Sequence, residues 1–208
     1  MKFDSIIFDL DGTFWDTCGS CAIAWNTVLK RNKIDFREIT YDDIRAVCGE
    51  SHEDCIRMTF KGLSEEQIQI LIDETMTEDN VAVNKHGGHI YDGVKEGLKL
   101  LSQKYPLYIV SNCQDGYIEN FMEFSGFGNL FKDYESWGRT KEKKTKNLES
   151  VKTRNSLSNP IYIGDTNGDY NAAKEASMPF VHVTYGFGKV QDVPAFDNFT
   201  DLTRFLLN

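Results

Sequence analysis

Four short apolar runs, each stopped by polar residues, constrain this chain more than any other feature. Ile6 to Phe8, Leu107 to Val110, Pro160 to Ile163 and Phe180 to Thr184 are rich in β-branched and aromatic residues and read as buried strands. Helical spacing lies between the later ones. Tyr91, Asp92 and Gly93 open a helix that carries Leu98, Leu100 and Leu101 and ends before Pro106. Further helices are expected over 116–124, 147–154 and 170–176. Strands alternating with helices imply an α/β fold, a doubly wound, Rossmann-like parallel sheet with helices on both faces. Ligands of such sheets bind at the carboxyl ends of the strands.

The stretch 16–84 breaks the alternation. Asp16 and Thr17 are candidate N-caps for a helix with Ala22, Ile23, Trp25, Val28 and Leu29. Another piece runs from Tyr41 to Val47, and a third starts near Glu53. A fourth follows the capping-box pattern Ser64 to Gln67. Gly87 and Gly88 then mark a hinge. The expected organisation is a core of residues 1–15 and 85–208 with a small all-helical cap domain, 16–84, inserted after the first strand. At 208 residues the chain can bury a core of that size with the insert.

The strand ends hold the chemistry. Asp9 and Asp11 follow the first strand two residues apart, so their side chains point the same way. Two carboxylates ~4 Å apart at an effective dielectric near 20 repel by about 4 kcal/mol, which calls for a cation or for unequal pKa values. Taken alone, Asp-x-Asp-Gly is equally a solvated turn. Ser111 and Asn112 close the second strand, however, and Asp165 and Asp169 follow the third. Sheet topology would bring all six to one edge.

These residues resemble the motifs of the haloacid dehalogenase superfamily of phosphohydrolases. Asp9, Leu10, Asp11, Gly12 and Thr13 match its hhhhDxDGT motif, Ser111 its second, a lysine before the next helix its third, and Gly164, Asp165 and Asp169 its GDxxxD. The helical insert matches the family's first cap type. The resemblance implies an Mg²⁺-dependent phosphatase of a small phosphorylated metabolite. Asp9 would be the nucleophile, forming an aspartyl-phosphate, and Asp11 the general acid and base. Ser111, Asn112, Thr13 and a lysine would hold the phosphate and its loop. Asp9, Asp11 (through its carbonyl), Asp165 and Asp169 (through a water) would hold the metal. Lys141, Lys143 and Lys144 compete for the motif-three position, with Lys144 favoured because it falls just before the helix containing Asn147 and Leu148.

Asp11 argues against a dehalogenase, whose halide leaving group needs no proton. β-Phosphoglucomutase is the alternative, a phosphotransferase. Its cap loop pairs a lysine with an arginine where this chain has Cys48 and His52, so the small-molecule phosphatases, phosphoglycolate phosphatase among them, match more closely. Arg45, Glu50 and His52 are candidates for reading the leaving group, against the plainer reading of surface polar residues on a helical insert. Net charge of −9 argues against nucleic acid and acidic membranes as partners. No apolar run approaches a membrane span. Five cysteines without an export signal point to free thiols in the cytoplasm. Cys18, Cys21, Cys48, His52 and Cys55 could suggest zinc, but small buried apolar residues are the better account. The protein is expected to be a monomer or homodimer.

Overall fold

The computed structural model describes residues 3–208; Met1 and Lys2, at the start of the expected core segment, lie outside them. Strand β1 (Ser5–Phe8) is the centre of the molecule. It pairs in parallel with β4 (Leu107–Ser111) on one side and β6 (Pro160–Gly164) on the other. Beyond these lie β5 (Phe131–Ser136), β7 (Phe180–Val183) and the two-residue β8 (Ala195–Phe196). The sheet runs β5-β4-β1-β6-β7-β8, with every pairing parallel. Ile6 and Phe8 enter one apolar cluster and Ile7 the other, which is why β1 reads as an unbroken hydrophobic run: both faces are covered.

Two of the six strands lie outside the four expected from the sequence. Strand β5 carries Lys132, Asp133 and Glu135, as an edge strand can, and β8 is too short to show a pattern. Helices α5 (Val94–Ser102), α6 (Tyr117–Ser125), α9 (Asn167–Glu175) and α10 (Phe199–Leu207) cover the sheet. Short α7 (Trp137–Thr140) leads to α8 (Lys144–Arg154). Helix α8 begins three residues earlier than expected, so Lys144 is its first residue rather than one preceding it. Phe121, Phe127 and Phe131 are buried, whereas Phe124 is 47% exposed.

Between β2 (Trp15–Asp16) and β3 (His89–Ile90) the described chain is helical. It forms α1 (Cys18–Arg31), α2 (Tyr41–Arg45), α3 (His52–Thr59) and α4 (Glu65–His86). Ser64 and Gln67 close a reciprocal capping box on α4. Helix α1 lies against α4, with Arg31 reaching Glu74 and Glu78 at 2.8 Å each. The chain leaves and re-enters the sheet layer through the antiparallel β2–β3 ribbon, which sequence reading saw only as a glycine hinge.

Candidate active site

Parallel register assembles the site. Phe8 lies opposite Ile109 of β4 and Ile163 of β6, so the residues just past all three strands open on one edge. Asp9, Ser111 and Asp165 emerge there, each no more than 3% exposed. Asp9, Asp11, Ser111, Asn112 and Lys144 line one cavity of about 90 Å³, roofed by the helices of 16–84.

Lys144 is the hub. Its Nζ donates to Asp9 Oδ1 at 3.1 Å and to Asp169 Oδ1 at 2.6 Å. Burial works against its proton, but the charges of Asp169 and Asp9 outweigh burial and raise its pKa. Lys141 and Lys143 are exposed, and the Lys141 ammonium sits 4.1 Å from the Trp137 ring centroid.

The carboxylates are unlike one another. Burial, then the charge of Asp169, push Asp9 up to about 6 despite Lys144. Burial and then Asp9 push Asp11 up to about 7. Asp11 accepts from Tyr117 at 3.1 Å and Thr17 at 3.3 Å, and those two hydroxyls are 2.6 Å apart. Thr17 is the α1 N-cap residue, yet its hydroxyl makes no cap bond; Asp16 accepts from the Cys18 N–H instead, freeing Thr17 for Asp11.

Asp169 is spoken for on both oxygens. Lys144 and the Tyr162 hydroxyl meet Oδ1, while the N–H groups of Asp165 and Thr166 and the Thr166 hydroxyl meet Oδ2. Burial would raise its pKa, but Lys144 and these bonds lower it. These contacts anchor Lys144 and close the α9 capping box with Thr166.

Asp165 is the converse case. Its Oδ2 accepts from the Phe187 N–H at 2.6 Å, but its Oδ1 is buried without a partner. Burial, then Asp169 and Asp9, raise its pKa. The loop around it depends on glycine. Gly12 has φ +76°, and a Cβ there or at Gly186 would collide with the Asp165 carboxylate.

A hard cation fits this set. Among the described residues, the Asp, Glu, His and Cys side chains close enough to share one ion are Asp9, Asp165 and Asp169, with ligand atoms within 4.8 Å of one another. Three buried carboxylates face one ammonium, and one buried oxygen is orphaned, a costly arrangement that an oxygen-seeking divalent ion would relieve. The carboxylate of Asp11 stands outside that group.

Two residues expected at the phosphate or its loop make other contacts. Thr13 is fully buried outside the cavity, its carbonyl accepting from Tyr185 at 2.8 Å. Asn112 lines the cavity, but its side-chain amide donates to the Gly49 carbonyl at 2.9 Å. Of the leaving-group candidates, Glu50 and His52 line the cavity, whereas Arg45 does not. Arg45 donates to the Gly186 carbonyl at 2.7 Å and stacks on Phe187. Asn112 and Arg45 thus tie the helical roof to the sheet. Sequence reading missed Thr17, Tyr117 and Tyr162, whose hydroxyls are indistinguishable in sequence from ordinary core or cap groups.

The sequence matches the haloacid dehalogenase-like hydrolase family over residues 6–183. The chain belongs to that family. A protein from Colwellia psychrerythraea called phosphoglycolate phosphatase is 28% identical, over 95% of this chain and 94% of its own. One of the same name from Psychrobacter arcticus is 27% identical, over 97% and 95%. Among solved structures, a haloacid dehalogenase-like family hydrolase from Streptococcus pneumoniae superposes with a TM-score of 0.85 at 20% identity, covering 98% of each chain. That likeness shows the shared fold. No helix among the described residues is long and apolar enough to cross a membrane.

Proposed function

We propose that the protein is an Mg²⁺-dependent phosphatase of a small phosphorylated metabolite, acting through an aspartyl-phosphate on Asp9. The observation that carries this reading is the buried Asp9–Lys144–Asp169 array beside the orphaned oxygen of Asp165. The relatives' shared name supports a small phosphomonoester, and so does the small cavity. Residues 16–84 are read as the lid and 1–15 with 85–208 as the core. The five free thiols fit a reducing compartment such as the cytoplasm.

Asp9, held through Oδ1 by Lys144, attacks phosphorus, forming the Asp9–phosphorus bond as the ester oxygen departs. Asp11 gives its proton to that oxygen. It then takes one from the water that cleaves the aspartyl-phosphate and releases inorganic phosphate. A pKa near 7 suits both directions of transfer. Ser111 is placed to donate to a phosphoryl oxygen. Asp9 and Asp165, with the Asp11 carbonyl, would hold Mg²⁺, which supplies charge neutralisation of the phosphoryl oxygens when bound. With no Lys–Arg pair in the cavity wall at Cys48 and His52, hydrolysis is favoured over transfer to a sugar.

Chelation with EDTA is expected to abolish phosphate release, and added Mg²⁺ to restore it; activity that survives chelation would remove the metal from the scheme. Asp11→Asn is expected to slow alcohol release from alkyl phosphates in a single turnover by roughly a hundredfold or more, and acetate release from acetyl phosphate, a better leaving group, far less. In the wild type, the attack step on alkyl phosphates should weaken as pH rises past about 7, where Asp11 loses its proton. Single-turnover rates across pH for the two substrate types would test this, and equal slowing of both would remove Asp11 as the acid.

A further inference from the structure

Arg45, the last residue of α2 on the roof, does not line the cavity but reaches the loop that follows β7. Its Nη2 donates to the Gly186 carbonyl at 2.7 Å, and its guanidinium carbon lies 5.1 Å from the centroid of the Phe187 ring. Asp16 Oδ2 stands 3.9 Å from Nη1. Asp16 is itself held, accepting from the Tyr41 hydroxyl and the Cys18 N–H. The Arg45–Asp16 ion pair is long and partly exposed, so it adds little energy and chiefly orients the guanidinium.

The same peptide group that meets Arg45 also meets Asp165. The Phe187 N–H donates to Asp165 Oδ2 at 2.6 Å. The Gly186 carbonyl and the Phe187 N–H belong to one planar, trans peptide, so they point in opposite directions. Arg45 holds one end of that plane and Asp165 the other. A cation at the carbonyl draws electron density from the amide and makes its N–H a stronger donor, as successive hydrogen bonds polarise one another. Only glycine lets the peptide lie this close: a Cβ at Gly186 would collide with the Asp165 carboxylate and the Gly12 carbonyl. The residue before it is anchored too, since the Tyr185 hydroxyl donates to the Thr13 carbonyl at 2.8 Å.

The N–H of Phe187 occupies Oδ2 of Asp165, while Oδ1 is buried and unpartnered. The tilt of the Gly186–Phe187 peptide therefore sets which carboxylate oxygen is free. We infer that Arg45 is a positioning residue for the metal site, acting through this one peptide group to fix the Asp165 carboxylate and leave Oδ1 free for a divalent cation. The inference rests on the reading of Asp165 as a metal ligand and adds to it a part for the roof. Arg45 comes from the inserted helices and Asp165 from the sheet, so metal affinity depends on the roof being seated. By linkage, bound metal holds the roof down by the same factor.

Mn²⁺ takes the same oxygen ligands as Mg²⁺, and its unbound fraction is counted by electron paramagnetic resonance. Titrated into the whole metal-free protein without substrate, it gives a dissociation constant independent of turnover. Arg45→Met keeps the apolar stem and removes donor and charge. It should raise that constant by roughly three- to tenfold, below the roughly ten- to hundredfold typical of a partner bonded directly to a ligand. Arg45→Lys restores a cation and a donor, though not the flat stack on Phe187, and should recover part of the loss. The Phe187 amide proton resonance should move upfield in Arg45→Met as its bond to Asp165 weakens.

Arg37→Met controls for a roof merely loosened. Arg37 pairs with Asp43 at 2.6 Å, the residue that closes the α2 capping box, so its loss disturbs the same helix at the other end. Its Mn²⁺ constant should stay within about twofold of wild type, as for the loss of an exposed pair. If Arg45→Met fails to fold, Arg45→Gln, neutral but still polar, carries the same expectations. An unchanged constant in the folded variant, or an unmoved Phe187 resonance, overturns the inference and leaves the metal in the scheme. So does equal weakening in Arg37→Met, which would make Arg45 only a strut of the roof. A wild-type protein that binds no Mn²⁺ removes the metal from the proposed reaction, and this role of Arg45 with it.

Discussion

Asp9→Asn is expected to lower phosphate release by roughly a thousandfold or more while leaving the fold intact. The amide nearly matches the carboxylate in shape, so β1 and its register are undisturbed. Lys144 stays in place because Asp169 still accepts from it at 2.6 Å. The substitution also removes a buried charge that burial and Asp169 oppose. The melting temperature of the metal-free variant should therefore equal or exceed that of the wild type at pH 7.5. Phosphate release measured beside circular dichroism would check both halves. Near-normal turnover in a folded Asp9→Asn protein would overturn the nucleophile, whereas a collapsed fold would show that Asp9 is needed for structure.

The sheet was legible where burial on both faces left unbroken apolar runs, as at Ile6 to Phe8 and Leu107 to Val110. It was not legible at β5, where Lys132, Asp133 and Glu135 give an edge strand the look of a loop. The helices of 16–84 could be placed because capping residues such as Ser64 announce themselves. The β2–β3 ribbon could not, because two paired residues have no period. Asp9, Asp11, Ser111 and Asp165 could be listed from their positions at strand ends. What they touch required the fold. Asn112 turns to Gly49 and Arg45 to Gly186, because the roof packs onto the sheet edge in a way no local pattern encodes. Asp79 lies in the fifth turn of a 22-residue helix, where an aspartate ordinarily faces water. Only the approach of Trp25, His52 and Gln114, from three other segments, reveals it as buried.

Lys144→Met is expected to be the most destabilising single change in the site. Methionine matches the length of the lysine stem but removes the cation that both Asp9 and Asp169 meet. Stripping one partner from a buried ion pair costs about 3–5 kcal/mol, because the remaining charge is uncompensated. The pH dependence of the Asp169 contribution should reverse in sign. In the wild type Asp169 has a lowered pKa, so its contribution is present above the unfolded value of 3.8 and is lost as pH falls through the folded value. Without Lys144, the folded pKa of Asp169 rises above its unfolded value, and that of Asp9, already raised to about 6, rises further. Their contribution is then fully present only below the unfolded pKa and is lost as pH rises through the folded pKa. Acidification from pH 8 to pH 6 should therefore stabilise the variant relative to the wild type, as measured by urea unfolding without metal. Turnover should vanish as well, since Asp9 loses the contact that fixes Oδ1 and becomes protonated more readily. Adding Asp169→Asn to Lys144→Met should restore much of the stability, because one of the two orphaned charges is gone, but none of the activity. Stability unchanged in Lys144→Met would mean that water or an ion already compensates these carboxylates, and that the lysine is not the keystone of the array.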